Sequence, residues 1–265
     1  MEGEKLVAVI TGAGSGIGYE ISRLLLEKGW EVWDLSRTDR AHTGVRHMSC
    51  DVSNEDRVIT AINLIHSRSG HIDLLISNAG FGISGAVEFT SSESAARLMA
   101  VNLMGADNVT RAVIPYMREN EGGRIIYISS AAAAFPIPFQ AWYSASKAAL
   151  NSYALALRNE LKPFDISVCV LMPGDIHTGF TAKREKSVEG DDIYSGRIDK
   201  AVSVMERDET NGMDPAYVAA QVLKCVYASN PAPLKTVGGK YKLFMLLKRL
   251  LPERFVNFLL GSIYS

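Results

Sequence analysis

The chain has 265 residues, with 28 basic and 29 acidic side chains, 47% apolar residues and three cysteines. That length suits a single α/β domain with a sizeable core, the composition excludes disorder, and a formal charge of −1 leaves no concentrated basic excess for nucleic acid. Cys50, Cys169 and Cys225 are odd in number and widely spaced, which fits a reducing compartment better than a disulfide framework.

The opening Met1-Glu2-Gly3-Glu4-Lys5 lacks the apolar core of a leader, and no apolar run approaches the ~18 residues that span a bilayer, so a soluble, cytoplasmic protein is expected. Short runs rich in Val and Ile at 6–10, 31–35, 72–77, 124–129 and 166–171 read as buried parallel strands. Helical patterns fill 17–28, 54–67, 94–119, 142–161 and 214–228, the last with Pro215 in its first turn. The alternation predicts one domain over 1–240, a doubly wound parallel sheet with helices on both faces. An insertion at about 179–213 is polar and charge-dense, either a lid over the strand ends or a solvated loop. Residues 234–239 give a last strand signal, and 241–265 form an extension. In it Leu243, Leu246, Leu247, Leu250 and Leu251 follow helical spacing up to Pro252, and Lys242, Lys248, Arg249 and Arg254 oppose only Glu253, a net +3.

Thr11-Gly12-Ala13-Gly14-Ser15-Gly16-Ile17-Gly18 follows the first strand and opens the first helix, where glycines let backbone approach a pyrophosphate at the positive helix end. Its spacing resembles the TGxxxGxG turn of the short-chain dehydrogenase/reductase family, a Rossmann-type fold. Thr11, Gly12, Ser15, Gly16, Ile17 and Gly18 are the expected cofactor residues of this turn. At the end of the second strand, where a carboxylate would select an unphosphorylated ribose, stand Ser36 and Arg37. A hydroxyl beside a guanidinium suits a 2′-phosphate, so NADP(H) is favoured over NAD(H), with Asp34 and Asp39 as counter-signals. The resemblance gives Asp51 and Val52 an adenine contact, although Asp51 or Ser53 could equally cap the next helix. It also gives Asn78, Ala79 and Gly80 a backbone surface for the cofactor ribose.

Tyr143 and Lys147 stand at i and i+4 on one helix face, where an ammonium can lower a phenol's ordinary pKa near 10 toward working pH. Alone this pair says little. In the family it is joined by a strand-end serine and a helix asparagine, here Ser130 and Asn102. The resemblance then makes Tyr143 the acid/base for a carbonyl or alcohol and Ser130 the hydrogen bond to its oxygen. Lys147 is the phenol's partner and a ribose ligand, and Asn102 the holder of a water that joins Lys147 to solvent. Pro173-Gly174-Asp175-Ile176-His177-Thr178 resembles the PGxxxT segment that holds the nicotinamide carboxamide, a role carried to Pro173, Gly174, Ile176 and Thr178. His177 reads as a lid or packing residue, and the other histidines form no metal spacing, so no metal is required.

The motifs cover residues 6–178. They imply an NADP(H)-dependent oxidoreductase interconverting a small-molecule ketone or aldehyde and an alcohol. The extended tail is reminiscent of members acting on steroid- or retinoid-like lipophilic alcohols. The alternatives are an NAD(H)-dependent member and an idle dinucleotide-binding module, the latter having no use for the Asn102, Ser130, Tyr143 and Lys147 set; a hydrolase would need a GxSxG elbow that is absent. A homodimer through the helices beginning at Ser94 and Trp142 is implied, with a tetramer as alternative. For the tail, packing on the body or closing a pocket outweighs membrane contact.

Overall fold

The computed structural model describes residues 5–264, so the expectation drawn from residues 1–4 lies outside the described residues. Strand-forming and helical stretches alternate in the order β1 (Val7–Thr11), α1 (Gly16–Glu27), β2 (Glu31–Ser36), β3 (Arg46–Ser49), α2 (Glu55–Ser69) and β4 (Leu74–Ser77). A two-residue strand, β5 (Ile83–Ser84), precedes α3 (Ser92–Met99), α4 (Gly105–Glu119), β6 (Gly123–Ile128) and α5 (Ala141–Leu161). There follow β7 (Ile166–Pro173), α6 (Phe180–Lys183), β8 (Glu185–Lys186), α7 (Arg197–Thr210), α8 (Pro215–Val226), β9 (Leu234–Val237), α9 (Gly239–Leu250) and α10 (Glu253–Tyr264).

Seven strands form one parallel sheet in the order β3-β2-β1-β4-β6-β7-β9, while β5 and β8 pair separately. Successive residues of β1 feed opposite cores, which is why the strand is apolar throughout rather than alternating. Val7 and Val9 join Val58, Ile62, Val109 and Leu150 from α2, α4 and α5. Ala8 and Ile10 join Ile21, Leu25, Val218 and Val222 from α1 and α8. Local signals end the helices where the sequence places them: Asn54 caps α2 by accepting the Arg57 N–H at 3.0 Å, and Gly70 closes it at φ +83°. Asp214 caps α8 through the Ala216 N–H at 2.7 Å, ahead of Pro215.

Three stretches depart from the simple pattern. The helix expected over 94–119 is interrupted by a π turn at Ala100–Met104, which carries Asn102 and offsets the hydrogen-bond ladder. The charge-dense insertion holds α6, β8 and α7. Beyond Pro252 the chain turns into a further helix, α10.

Candidate active site

Strand order reverses between β1 and β4, and in doubly wound sheets the crevice beyond that point receives the ligand. The Thr11 Oγ1 accepts the N–H groups of Asn78 and Ala79, each at 2.9 Å. In return, the Asn78 side-chain amide donates to the carbonyls of Thr11 (3.0 Å) and Gly12 (3.1 Å). The turns after two strands are thus fastened to each other. Gly12 (φ +74°) and Gly16 (φ +57°) are left-handed, and a Cβ on Gly18 would lie 2.4 Å from the Gly12 oxygen. No acidic side chain occupies the first turn of α1, and its N-cap Ser15 makes no side-chain capping bond, so the positive helix end is open to an anion. A dinucleotide pyrophosphate fits this cradle. Thr11 and Gly18, expected as cofactor residues, do not border the cleft; they stand behind the turn and give it its shape.

On β2, Asp34 is fully buried, accepting the Ala13 N–H at 2.7 Å and the Ser36 Oγ at 2.6 Å, with the His47 Nδ1 at 3.1 Å. It braces the glycine turn from beneath and is spent there. Ser36 and Arg37 border the cleft with Thr38 and Arg40. Arg40 is a residue that sequence reasoning missed, although a second arginine three positions past Arg37 was a signal. Its Cβ lies 3.1 Å from where a Cβ on Gly14 would stand, so it covers the turn. Asp51 accepts the backbone N–H (3.0 Å) and hydroxyl (2.7 Å) of Ser53, which hold its carboxyl below the ordinary value. Neither of them caps α2, which leaves Asp51 and Val52 on the cleft wall.

Tyr143 and Lys147 lie on the buried face of α5, the Lys147 Nζ 5.8 Å from the centre of the Tyr143 ring and donating to the Ile128 carbonyl at 2.9 Å. Burial pushes the Tyr143 phenol up to about 12, with its hydrogen bond to Ser130 pulling the other way. Burial likewise brings the Lys147 ammonium down to about 8. The direction for the phenol is set by desolvation, and Lys147, whose i, i+4 spacing implied a lowering, is not among its causes. Ser130 accepts the Ala132 N–H at 3.1 Å through its Oγ, at the head of the turn Ala131–Ala133, and keeps a hydroxyl proton to give. Asn102 sits behind these groups. Its Oδ1 accepts the Phe81 N–H at 3.0 Å, and its Nδ2 donates to the Phe81 carbonyl (2.9 Å) and the Ser146 Oγ (3.1 Å). Both amide hydrogens are committed to protein, so Asn102 ties the loop after β4 to α5, while its Oδ1 keeps a second lone pair.

The roof of the cleft comes from the segment after β7 and from the tail. Thr178 packs on the glycine turn, its Cγ2 3.3 Å from a Cβ built on Gly16, and Lys183 from α6 donates to the Ser15 Oγ at 3.1 Å. His177 is turned outward, with its Nδ1 2.6 Å from the Thr210 carbonyl. The Phe180 and Tyr143 ring centres are 5.6 Å apart, and the Arg184 guanidinium lies 5.6 Å from the Phe180 ring. Arg184, buried, pairs with Glu209 at the end of α7, and Glu209 also accepts the Thr181 hydroxyl at 2.6 Å. Tyr241 of α9 lies so close over Gly174 that a Cβ there would fall 1.9 Å from its ring. Its hydroxyl accepts the Asp175 N–H at 3.0 Å and donates to the Asp175 carboxylate. Together these walls enclose one cleft of 1130 Å³, running from Arg37 past Tyr143 to an apolar end lined by Phe244, Leu247, Leu251, Val256 and Leu260.

A family model described as short chain dehydrogenase matches residues 6–189. The chain belongs to the short-chain dehydrogenase family. As a short-chain dehydrogenase it is an oxidoreductase of keto and alcohol groups that binds a nicotinamide dinucleotide and acts on a small molecule. It is 38% identical to the 3-ketodihydrosphingosine reductase of Bacteroides thetaiotaomicron, over 98% of both chains. Against dehydrogenase/reductase SDR family member 7B of Xenopus tropicalis it is 33% identical, over 96% of this chain and 84% of the other. Among solved structures, a short-chain dehydrogenase from Streptomyces avermitilis superposes with a TM-score of 0.84 at 27% identity, over 94% of each chain.

Proposed function

We propose that the protein is an NADP(H)-dependent reductase that converts the ketone of a long-chain, lipophilic substrate to an alcohol. The observation that carries this is the continuity of the cleft, which joins the Ser130 and Tyr143 hydroxyls to a chamber walled by the apolar side chains of α9 and α10. Ser36, Arg37 and Arg40 border the same cleft where a 2′-phosphate would lie, and the carboxylate that would repel it, Asp34, is turned inward. Both support NADP(H) over NAD(H).

A bound nicotinamide dinucleotide supplies the hydride. Ser130 donates its hydroxyl to the substrate oxygen and stabilises the charge that builds on it. Tyr143 gives its phenolic proton to that oxygen. The ammonium of Lys147 offsets the phenolate left behind, and by family resemblance it also holds the nicotinamide ribose. Of the lipophilic classes, a long-chain keto lipid is favoured over a steroid or retinoid, because similarity to the Bacteroides reductase extends through the tail that walls the chamber. Met104, Trp142 and Leu155 are exposed along α5 and the π turn before α4, and a homodimer through these helices would cover them.

The test follows NADPH oxidation with 3-ketodihydrosphingosine, a steroid ketone and a short aliphatic ketone. The long-chain substrate is expected to give the highest kcat/KM, by about tenfold or more. A steroid preferred by that margin, or turnover of none of the three, would contradict the proposal.

A further inference from the structure

The helices that wall the apolar chamber are not covered on their outer side. On α9, Leu243 (54% exposed), Leu246 (55%) and Leu250 (73%) recur at i, i+3 and i+7 and form an open stripe. Lys242 and Arg249, seven residues apart, run along one flank of that stripe, and Lys240 lies on the other; all three are exposed. On α10, Phe258 is 67% exposed beside the exposed Phe255, with Arg254 next to them. Leu247, Leu259 and Ile263 both border the cleft and open to solvent, so they form the rim of its apolar end.

We infer that α9 and α10 dock on an anionic lipid surface and that the substrate enters the cleft from the bilayer across this rim. An apolar stripe flanked by cations matches acyl chains bordered by negative headgroups. A second copy of the chain matches it poorly, because a twofold interface would set Lys242 and Arg249 against the same cations of the partner. Contact is peripheral, since among the described residues no helix is long and apolar enough to cross a membrane. The inference rests on the lipophilic-ketone reading for the route of the substrate, while the docking itself is measured with neither substrate nor cofactor, so the two can fail separately.

The full chain is sedimented with phosphatidylcholine vesicles, with and without phosphatidylglycerol. Binding is expected to require phosphatidylglycerol and to weaken with salt. Lys242→Gln and Arg249→Gln should each lower it about fivefold, and Leu246→Ser with Leu250→Ser by more than about tenfold. None of these side chains borders the cleft, so turnover of a short soluble ketone should be unchanged, which also reports that the variants fold. Turnover of a vesicle-embedded ketone should fall in parallel with binding. The inference is overturned if the full chain stays in the supernatant, or if the variants sediment like the parent. A third contrary result is a loss of oligomer mass in the leucine variant with no vesicle binding by the parent, which would make the stripe a contact between copies.

Discussion

Replacing Arg37 by glutamine removes a guanidinium from the cleft wall while leaving Ser36 and the buried Asp34 in place. If it meets a 2′-phosphate, the lost charge-assisted bond is worth about 1.5–3 kcal/mol. The Kd for NADPH should rise roughly ten- to a hundredfold and that for NADH hardly at all, measured by fluorescence titration; equal losses would refute the NADP(H) assignment. Lys147 makes a separate prediction. A lysine whose value is lowered to about 8 loses its charge as pH rises through 8, so kcat/KM for ketone reduction should fall on the alkaline side of that value. Lys147→Arg, which stays charged, should remove that limb, and an alkaline limb unmoved by the change would rule out Lys147 as its source. The same burial costs stability while the cation is held. From about 8 to the ordinary 10.5 the unfolded chain keeps a proton that the folded chain has released, so stability rises with pH over that window and the cost is relieved. The sequence names these residues because each sits in a motif of fixed spacing. It names Thr11 and Gly18 among the cofactor residues without showing that they stand behind the turn, because a motif records which residue types are needed and not which atoms they touch. Arg40 and Lys183 lie in no motif and reach the cleft only through the fold.

Glu209 links two elements. It accepts from Thr181 and pairs with the buried Arg184, so the end of α7 holds α6 over Tyr143. Glu209→Gln leaves a buried guanidinium without its counter-charge, a loss of about 3–5 kcal/mol in comparable buried pairs. Because α6 also carries Lys183 to Ser15, the expected readout is a lower Tm together with a raised KM for cofactor. A lower Tm with cofactor KM unchanged would show that α6 does not serve the cofactor. Elements such as β1, α2 and α8 were legible because two-sided burial and caps write themselves into the residue order. β3 was not evident from apolar runs, since Arg46-His47-Met48-Ser49 forms a half-exposed edge. The π turn was hidden because an added residue in a helix ladder leaves the apolar period almost unchanged. α10 was hidden behind Pro252, which reads as a stop and serves as the corner between two helices.

Across the molecule, the parallel sheet and its two cores position a crevice at the β1 and β4 ends, and the tail lengthens that crevice into a chamber. A charge near zero concealed this division: the extension from 241 is net +3, so the rest of the chain is net −4. Tyr241 couples the two parts, bonded to Asp175 and seated on Gly174. The doubly wound core, apart from its edge strand β3, was readable from apolar runs and helix periods. Where the tail packs was not, since amphipathic spacing marks an apolar face without naming its partner. Proton delivery by Tyr143 is tested most directly with Tyr143→Phe, a change that removes one hydroxyl from a buried ring. The expected result is a fall in kcat for ketone reduction by about 10²–10⁴-fold or more, with the Kd for NADPH within about twofold of the parent. Turnover retained in that variant would contradict the mechanism.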